Sequence, residues 1–521
     1  MRMKQLLITL SLFTGTGFTA SAQAPGLGWQ KALGGTSYEG ANGVIQTSDS
    51  NYLVFGIAES SNGDVATNHG PYDCWLVKLS QTGTIIWQQS LGGSYTETPY
   101  SIQETSDGGF IMAAETKSTD GDITSNHGNS DAWIVKLSPV GSIQWQKSIG
   151  GSGFDVPLSV KQTADGGFIV AGWTSSNDGD VSGNKGGEDC WLIKLTPSGV
   201  ISWQKTFGGT GEDHFTGVAE TADGGFICSG IVKSTDGDIT NHHGMEDIWI
   251  VKVTSTGALS WQKTIGGSGN DYCGEHAYSG GILQTADGGY ILAGWSNSSD
   301  GDVTANQGHY DAWVVKLTPT GSISWQKSFG GTGDDEANSI QVTADGGYLI
   351  GGLTNSTDGD VSHIHGDYDF WVLKLTPSGS LEWERCYGGA GREIAFTTLE
   401  TFEGDYIVAG YTTMSSGQVT GVHGNNYDMW VAFLASPTGV NGLGSSLNTI
   451  TMSPNPTSGA LLIQGLNQPA VVKVYGANGQ LVLEGNNTSS IYLAALQSGV
   501  YFVSIADAKG HVLKTEKIIK Q

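Results

Sequence analysis

The chain has 521 residues, 80 of them glycine and only 14% charged, with 24 basic residues against 50 acidic ones. That composition excludes a protein of long charged helices and fits turn-rich β structure. A net charge of −26 repels a phosphate backbone and so excludes a nucleic-acid partner; it suits a solvated exported protein, or one that holds divalent cations.

The first element is an export signal. Arg2 and Lys4 precede an apolar stretch from Leu6 to Phe18, and Ala20-Ser21-Ala22 follows as a small-x-small site. This predicts a secretory signal peptide over residues 1–22, cut between Ala22 and Gln23. No later apolar run reaches the ~18 residues of a membrane helix, so no transmembrane segment is expected.

A repeat then occupies most of the chain. Tryptophans at 29, 87, 145, 203, 261, 325 and 383 are spaced by 58 residues, once by 64. Gly-Gly follows five residues after each, and a second tryptophan recurs as Asp-x-Trp at 75, 133, 191, 249, 313, 371 and 430. Only Trp173 and Trp295 lie outside this scheme. Each unit reads as four short strands, with Asp-Gly-Gly (as at Asp107 and Asp165) supplying the positive-φ positions of a hairpin. Strands apolar on both faces are covered on both sides, as stacked propeller blades are. The period exceeds the ~40 to ~50 residues usual for propellers, which predicts long loops on one rim. The last unit lacks its fourth strand, and the strand around Trp29 precedes any complete blade, so the N-terminal strand is expected to close the ring.

The candidate chemistry lies in the loops. Asp-Gly-Asp recurs before the Asp-x-Trp of five units, and the hard oxygen ligands Asp120, Asp122, Asn126 and Asp131, with Asp236, Asp238, Asn241 and Asp247, are candidates for calcium. The competing reading, favoured here, is a turn held by side-chain to backbone hydrogen bonds. His69, His127, His243, His365 and His423 recur before glycine and are poor choices for a lone general base. The fifth unit carries six extra residues within 270–282, and Cys273, Glu275, His276 and Tyr278 there are candidates for a recognition loop. The other cysteines (Cys74, Cys190, Cys228 and Cys386) read as buried fillers, and no disulfide framework is evident.

Residues 436–448 have a linker composition rich in Gly, Ser and Asn. Beyond them, residues 460–464, 470–475, 480–483 and 499–505 read as strands of a small β-sandwich.

The pattern Trp-x-Lys-x-x-Gly-Gly, Asp-Gly-Gly and Asp-x-Trp over residues 27–435 resembles the SBBP-type seven-bladed β-propeller repeats of exported bacterial proteins. Pro454, Asn455, Pro456, Gly499, Tyr501, Lys517 and Lys520, within 449–521, resemble the type A C-terminal sorting domain of the type IX (Por) secretion system. The expected fold class is therefore all-β: a seven-bladed β-propeller of four-stranded blades plus a small C-terminal β-sandwich. The second resemblance implies a partner, the type IX machinery, and passage through the periplasm to the surface of a Gram-negative bacterium or beyond. The functional reading is a monomeric, non-catalytic propeller that binds an extracellular glycan, protein or matrix. The alternatives are a secreted enzyme acting on polysaccharide at one rim, and a purely structural surface protein. H-E-x-x-H and G-x-S-x-G are absent, and the mature chain keeps only Arg385 and Arg392, too few for the three-arginine site of a sialidase.

Overall fold

The computed structural model describes residues 23–436, apart from 275–280 and 425, and most of 451–520 (not 454–456, 458, 465–469, 477–480, 487–489, 498 or 508–511). The signal peptide through Ala22, most of the linker, Glu275, His276, Tyr278, Pro454, Asn455 and Pro456 thus lie outside the described residues. The chain divides into two compact units, residues 1–437 and 438–521, and the described residues contain no helix.

The first unit holds seven antiparallel sheets in chain order. They span residues 39–91, 97–149, 155–207, 213–265, 271–329 and 335–387, and the seventh joins 393–435 to the N-terminal strand Gly26–Leu33. The first strands of consecutive sheets touch one another in a closed cycle, from Glu39–Gln46 through Glu393–Glu400 and back, and so surround a common axis. These sheets are the blades of a β-propeller. Each tryptophan strand forms the outer edge of the blade before the one its sequence unit goes on to build; Ile85–Leu91 pairs with Asp73–Leu79.

Packing between blades explains the doubly apolar strands. Seven apolar clusters each join two neighbouring blades. One of them combines Ile407, Ala409, Met429 and Val431 of blade seven with Val44, Tyr52, Val54 and Trp75 of blade one. The Asp-x-Trp tryptophans, such as Trp133 and Trp249, are fully buried in these clusters. Truncating one such side chain costs about 3–5 kcal/mol, so the ring is stiffened at seven equivalent points.

Closure uses the same parts in a different order. Gly26–Leu33 pairs antiparallel with Asp428–Ala435, Trp29 opposite Phe433, and the two rings stack at 5.6 Å. Trp430 donates to Gln30 at 2.8 Å, as Trp133 donates to Gln146 within its own hairpin at 2.6 Å. Tyr387 donates its hydroxyl to the Pro25 carbonyl at 2.7 Å, so the start of the closing strand is also tied to blade six.

The two ends of the propeller differ. At one end lie tight turns. Thr105 to Gly109 is closed by Gly108 at φ +80°, and Lys136 reaches Asp107 at 3.0 Å. The Thr105 hydroxyl and Lys136 hold the Asp107 carboxyl down to about 2. The same lysine–aspartate tie recurs in the first six blades, and Phe433 takes the lysine slot in the seventh. The other end carries the long loops, such as 117–130, that the period demanded.

The second unit is a β-sandwich. A three-stranded sheet (Thr451–Ser453, Ala460–Gln464, Ser490–Tyr492) accompanies a four-stranded one ordered Leu481–Asn486, Ala470–Gly476, Gly499–Asp507, Val512–Lys520. Leu461, Ile463, Val472, Val474, Ile491, Val503, Ile505 and Ile518 form its core. The sequence reading assigned no strand to the last segment, whose lysines mask an alternating pattern.

Candidate functional site

The loop end is built on a polar frame that repeats at every blade junction. The first strand of each blade opens on a buried carboxylate: Glu39, Glu97, Asp155, Asp213, Asp271, Asp335 or Glu393. A second buried aspartate opens each third strand, from Asp73 to Asp428. At the junction of blades two and three, Asp155 accepts the Gly151 N–H at 2.8 Å and the Ser176 hydroxyl at 2.8 Å. Asp131 accepts the His127 N–H at 3.0 Å and touches its Nδ1 at 2.5 Å. A Cβ on Gly150 would lie 2.6 Å from Asp155 and 2.8 Å from Asp131, which is why glycine recurs there. Burial pushes both carboxyls up, against the pull of their hydrogen-bond donors. Where lysine or glutamine replaces the histidine, burial raises Asp189 and Asp311 to about 6.

This frame absorbs the Asp-Gly-Asp loops. Asp120 accepts the Ser94 N–H at 2.8 Å, and Asp122 accepts the Gly92 N–H at 3.1 Å. Asp236 and Asp238 do the same for Thr210 and Gly208. Gly121 between them has φ +65° and lies against the Gly92 carbonyl, where any other residue is strained. Asn126 donates to the Thr116 carbonyl, and Asp247 accepts the His243 N–H at 2.6 Å. Blade four departs from the expected set: the residue in the place of Asn126 is His242, which reaches the Val232 carbonyl at 3.2 Å. Asn241 is one position earlier, exposed, with φ +59°. The Oδ1 atoms of Asp131, Asp189, Asp247, Asp311 and Asp428 have no hydrogen-bond partner, yet among the described residues no group of three His, Cys, Asp or Glu is arranged to hold a metal ion.

Cys273 corrects the recognition-loop expectation for that residue. It is fully buried, its thiol 3.4 Å from the Gly230 carbonyl, and burial pushes it up to about 11. The strand before the six extra residues continues into the core, so the slot that holds Cys273 is an interior one, like Phe215 in blade four. The other four cysteines are buried too, and all five are free.

Between the frame residues lie positions at which the seven copies differ. Next to last in the second strand stand Ile57, Glu115, Trp173, Ile231, Trp295, Leu353 and Tyr411. Beside them, just before the third strand, come Tyr72, Ser130, Glu188, Glu246, Tyr310, Tyr368 and Tyr427. Both tryptophans that escape the repeat thus occupy one column at the loop end, each partly exposed. Trp173 stacks on His214 of the next blade at 4.9 Å, and His214 meets Glu188 at 2.6 Å. Trp295 stacks on Tyr272 at 4.1 Å and meets Tyr310 edge-on. Phe396, Tyr411, Tyr427, Tyr38 and Tyr72 form a chain of ring contacts across blades seven and one. Arg392 covers Tyr368 at 4.4 Å, and Tyr368 donates to Asp334 at 2.9 Å. A hollow of about 220 Å³ opens beside Trp173, lined by Tyr100, Glu115, Leu158, His214 and Thr216. Apart from the two tryptophans, these residues escaped the sequence reading; the signal was their disagreement among otherwise matching repeats.

Comparison with curated proteins gives no match. Among solved structures, the chain is similar to a fungal alcohol oxidase of the AA5 family in complex with copper (10% identity, 96% of this chain and 100% of that one, TM-score 0.43). It is similar to the Neurospora crassa Pan2 WD40 domain (9%, 79% and 96%, TM-score 0.42). It is also similar to PorZ, an essential bacterial surface component of the type-IX secretion system of Porphyromonas gingivalis (11%, 90% and 68%, TM-score 0.34). Likenesses this remote carry no argument about activity, and the fold rests on the sheets themselves. Residues 451–521 match the family model described as a secretion system C-terminal sorting domain. The chain therefore ends in a type IX sorting domain, and the protein is destined for the cell surface or extracellular space of a Gram-negative bacterium.

Proposed function

We propose that the mature protein is a non-catalytic binding propeller that holds carbohydrate on its loop face. The observation that carries this reading is the pair of repeat-free tryptophans in one column of that face. A pyranose ring presents C–H groups to the negative face of an aromatic ring, and Trp and Tyr combine an apolar body with a polar tip. Glu115, Glu188 and His214 stand beside Trp173 as acceptors and donors for hydroxyl groups. The acidic chain disfavours anionic sugars.

The export half of the reading is finer than the sorting match alone. The signal peptide carries the chain to the periplasm; a type A sorting domain then directs it through the outer membrane and is removed. The repeats are of the SBBP type, and the propeller acts as a monomer. The test is titration of neutral and uronic-acid oligosaccharides into the mature protein purified from the native host, with the products checked for new reducing ends. Neutral sugars are expected to bind without cleavage, and Trp173→Ala with Trp295→Ala to weaken them at least tenfold. Undiminished binding by that double variant would move the site elsewhere, and new reducing ends would restore the enzyme reading.

A further inference from the structure

The sorting domain must be recognised whatever cargo it carries, so its recognition surface has to lie within residues 451–521. Two of the residues that mark the family, Tyr501 and Lys520, are turned toward the core. Tyr501 packs against the core and donates its hydroxyl to the Gln497 carbonyl at 2.9 Å. Lys520 is buried, and its strand is bridged to Thr457. Strand alternation turns the neighbours of these residues outward. On the outer face of the four-stranded sheet, Val500 is 36% exposed, Phe502 40% and Ile519 42%. Val500 pairs with Ile519, and Phe502 lies between Tyr475 and Lys517 in register. Lys473 sits one step further along the same strand as Tyr475.

Charge separates this domain from its cargo. Residues 451–521 contain five lysines against Glu484, Asp507 and Glu516, which leaves 19 basic and 47 acidic residues in the rest of the chain. Clustered exposed apolar side chains on a soluble domain mark an interaction site. A component of the export machinery with an apolar, acid-rimmed surface fits the apolar centre and the lysines in register on this face, where Glu484 pairs with Lys473, whereas the far more acidic remainder of the chain repels it.

We propose that the outer face of the four-stranded sheet, centred on Val500, Phe502 and Ile519, is where the secretion machinery docks on this chain. The proposal rests on the sorting assignment. The test is fractionation of the native host expressing full-length variants. Phe502→Ser with Ile519→Ser is expected to lower the surface and secreted fraction at least fivefold and to leave the protein in the periplasm. Phe502→Leu, which keeps the apolar surface, should export normally. So should Tyr492→Ser, which removes an exposed ring from the other sheet. Periplasmic protein from the double variant should resist protease as the parent does, since both positions are exposed.

Normal export of the double variant, or a block by Tyr492→Ser instead, would overturn the proposal. So would a concentration-dependent dimer of the parent that the double variant abolishes while still exporting, because the face would then serve self-association. A chain lacking residues 449–521 that still reaches the surface would sink the sorting assignment itself, and is distinguishable from those outcomes.

Discussion

The propeller and the sandwich are both all-β, yet they use polar residues in opposite ways. The propeller buries carboxylates at every junction and meets them with backbone N–H groups, hydroxyls and histidines. The sandwich core is apolar in its described residues, apart from Thr457 and Lys520. A ring of seven like units needs each blade set at one angle to the next, and directional bonds supply that where apolar packing alone would let sheets slide. Two facing sheets with one shared core need no such frame. The difference also shows where each unit is free to vary: between frame residues at the loop end of the propeller, and on the outward register of the strands in the sandwich.

The largest effect should come from breaking the ring. Deleting residues 26–34 removes Trp29 from its stack on Phe433 and bares the edge of Asp428–Ala435. The expected result is an insoluble protein, or a melting temperature lower by more than about 5 °C, the size of several kcal/mol in a unit as large as this propeller. Scanning calorimetry of the purified variant checks it. Deleting residues 449–521 tests the other side of the comparison. The propeller should then melt within about 2 °C of the parent, because its seven interfaces are complete without that unit.

A smaller effect sharpens the contrast in buried charge. Burial lifts Asp311 to about 6, with Asp335 and Asp360 adding to the rise and the Gln307 and Gly308 N–H groups opposing it. The folded state therefore holds this proton more tightly than the unfolded chain, whose aspartates sit near the ordinary value. The resulting stability is fully present below about pH 4 and is lost as pH rises through about 6, by roughly 3 kcal/mol. Asp311→Asn should be more stable than the parent at pH 7.5, keep about half of that advantage at pH 5 and lose it by about pH 3.5, as read by urea unfolding at the three pH values. An advantage independent of pH would mean that packing, and not ionisation, sets the cost.

The smallest effect is expected from metal removal. The carboxylates of Asp120, Asp122, Asp236 and Asp238 already accept backbone N–H groups. Excess chelator should therefore shift the melting temperature by less than about 1 °C. A fall of several degrees, restored by calcium, would reinstate the loops as cation sites.

Sequence by itself determined the architecture of this protein. A 58-residue period, doubly apolar strands and a missing last strand are properties of neighbouring residues, and hydrophobic burial turns them into stacked blades closed by Gly26–Leu33. The sandwich strands around 460–464, 470–476 and 499–507 were legible for the same reason, through alternation. The direction of the loop carboxylates was not legible, because Asp122 meets the Gly92 N–H thirty residues away only once the blades are placed. Cys273 read as part of a surface insertion, because an irregular strand gives no sign of which residues still face the core. Nor could the chain order show that Trp173 and His214, forty-one residues apart, would stack across a junction. A ring brings together residues one period apart, so the loop face exists only in the tertiary structure, where the repeats that fix the frame also gather the residues in which they differ.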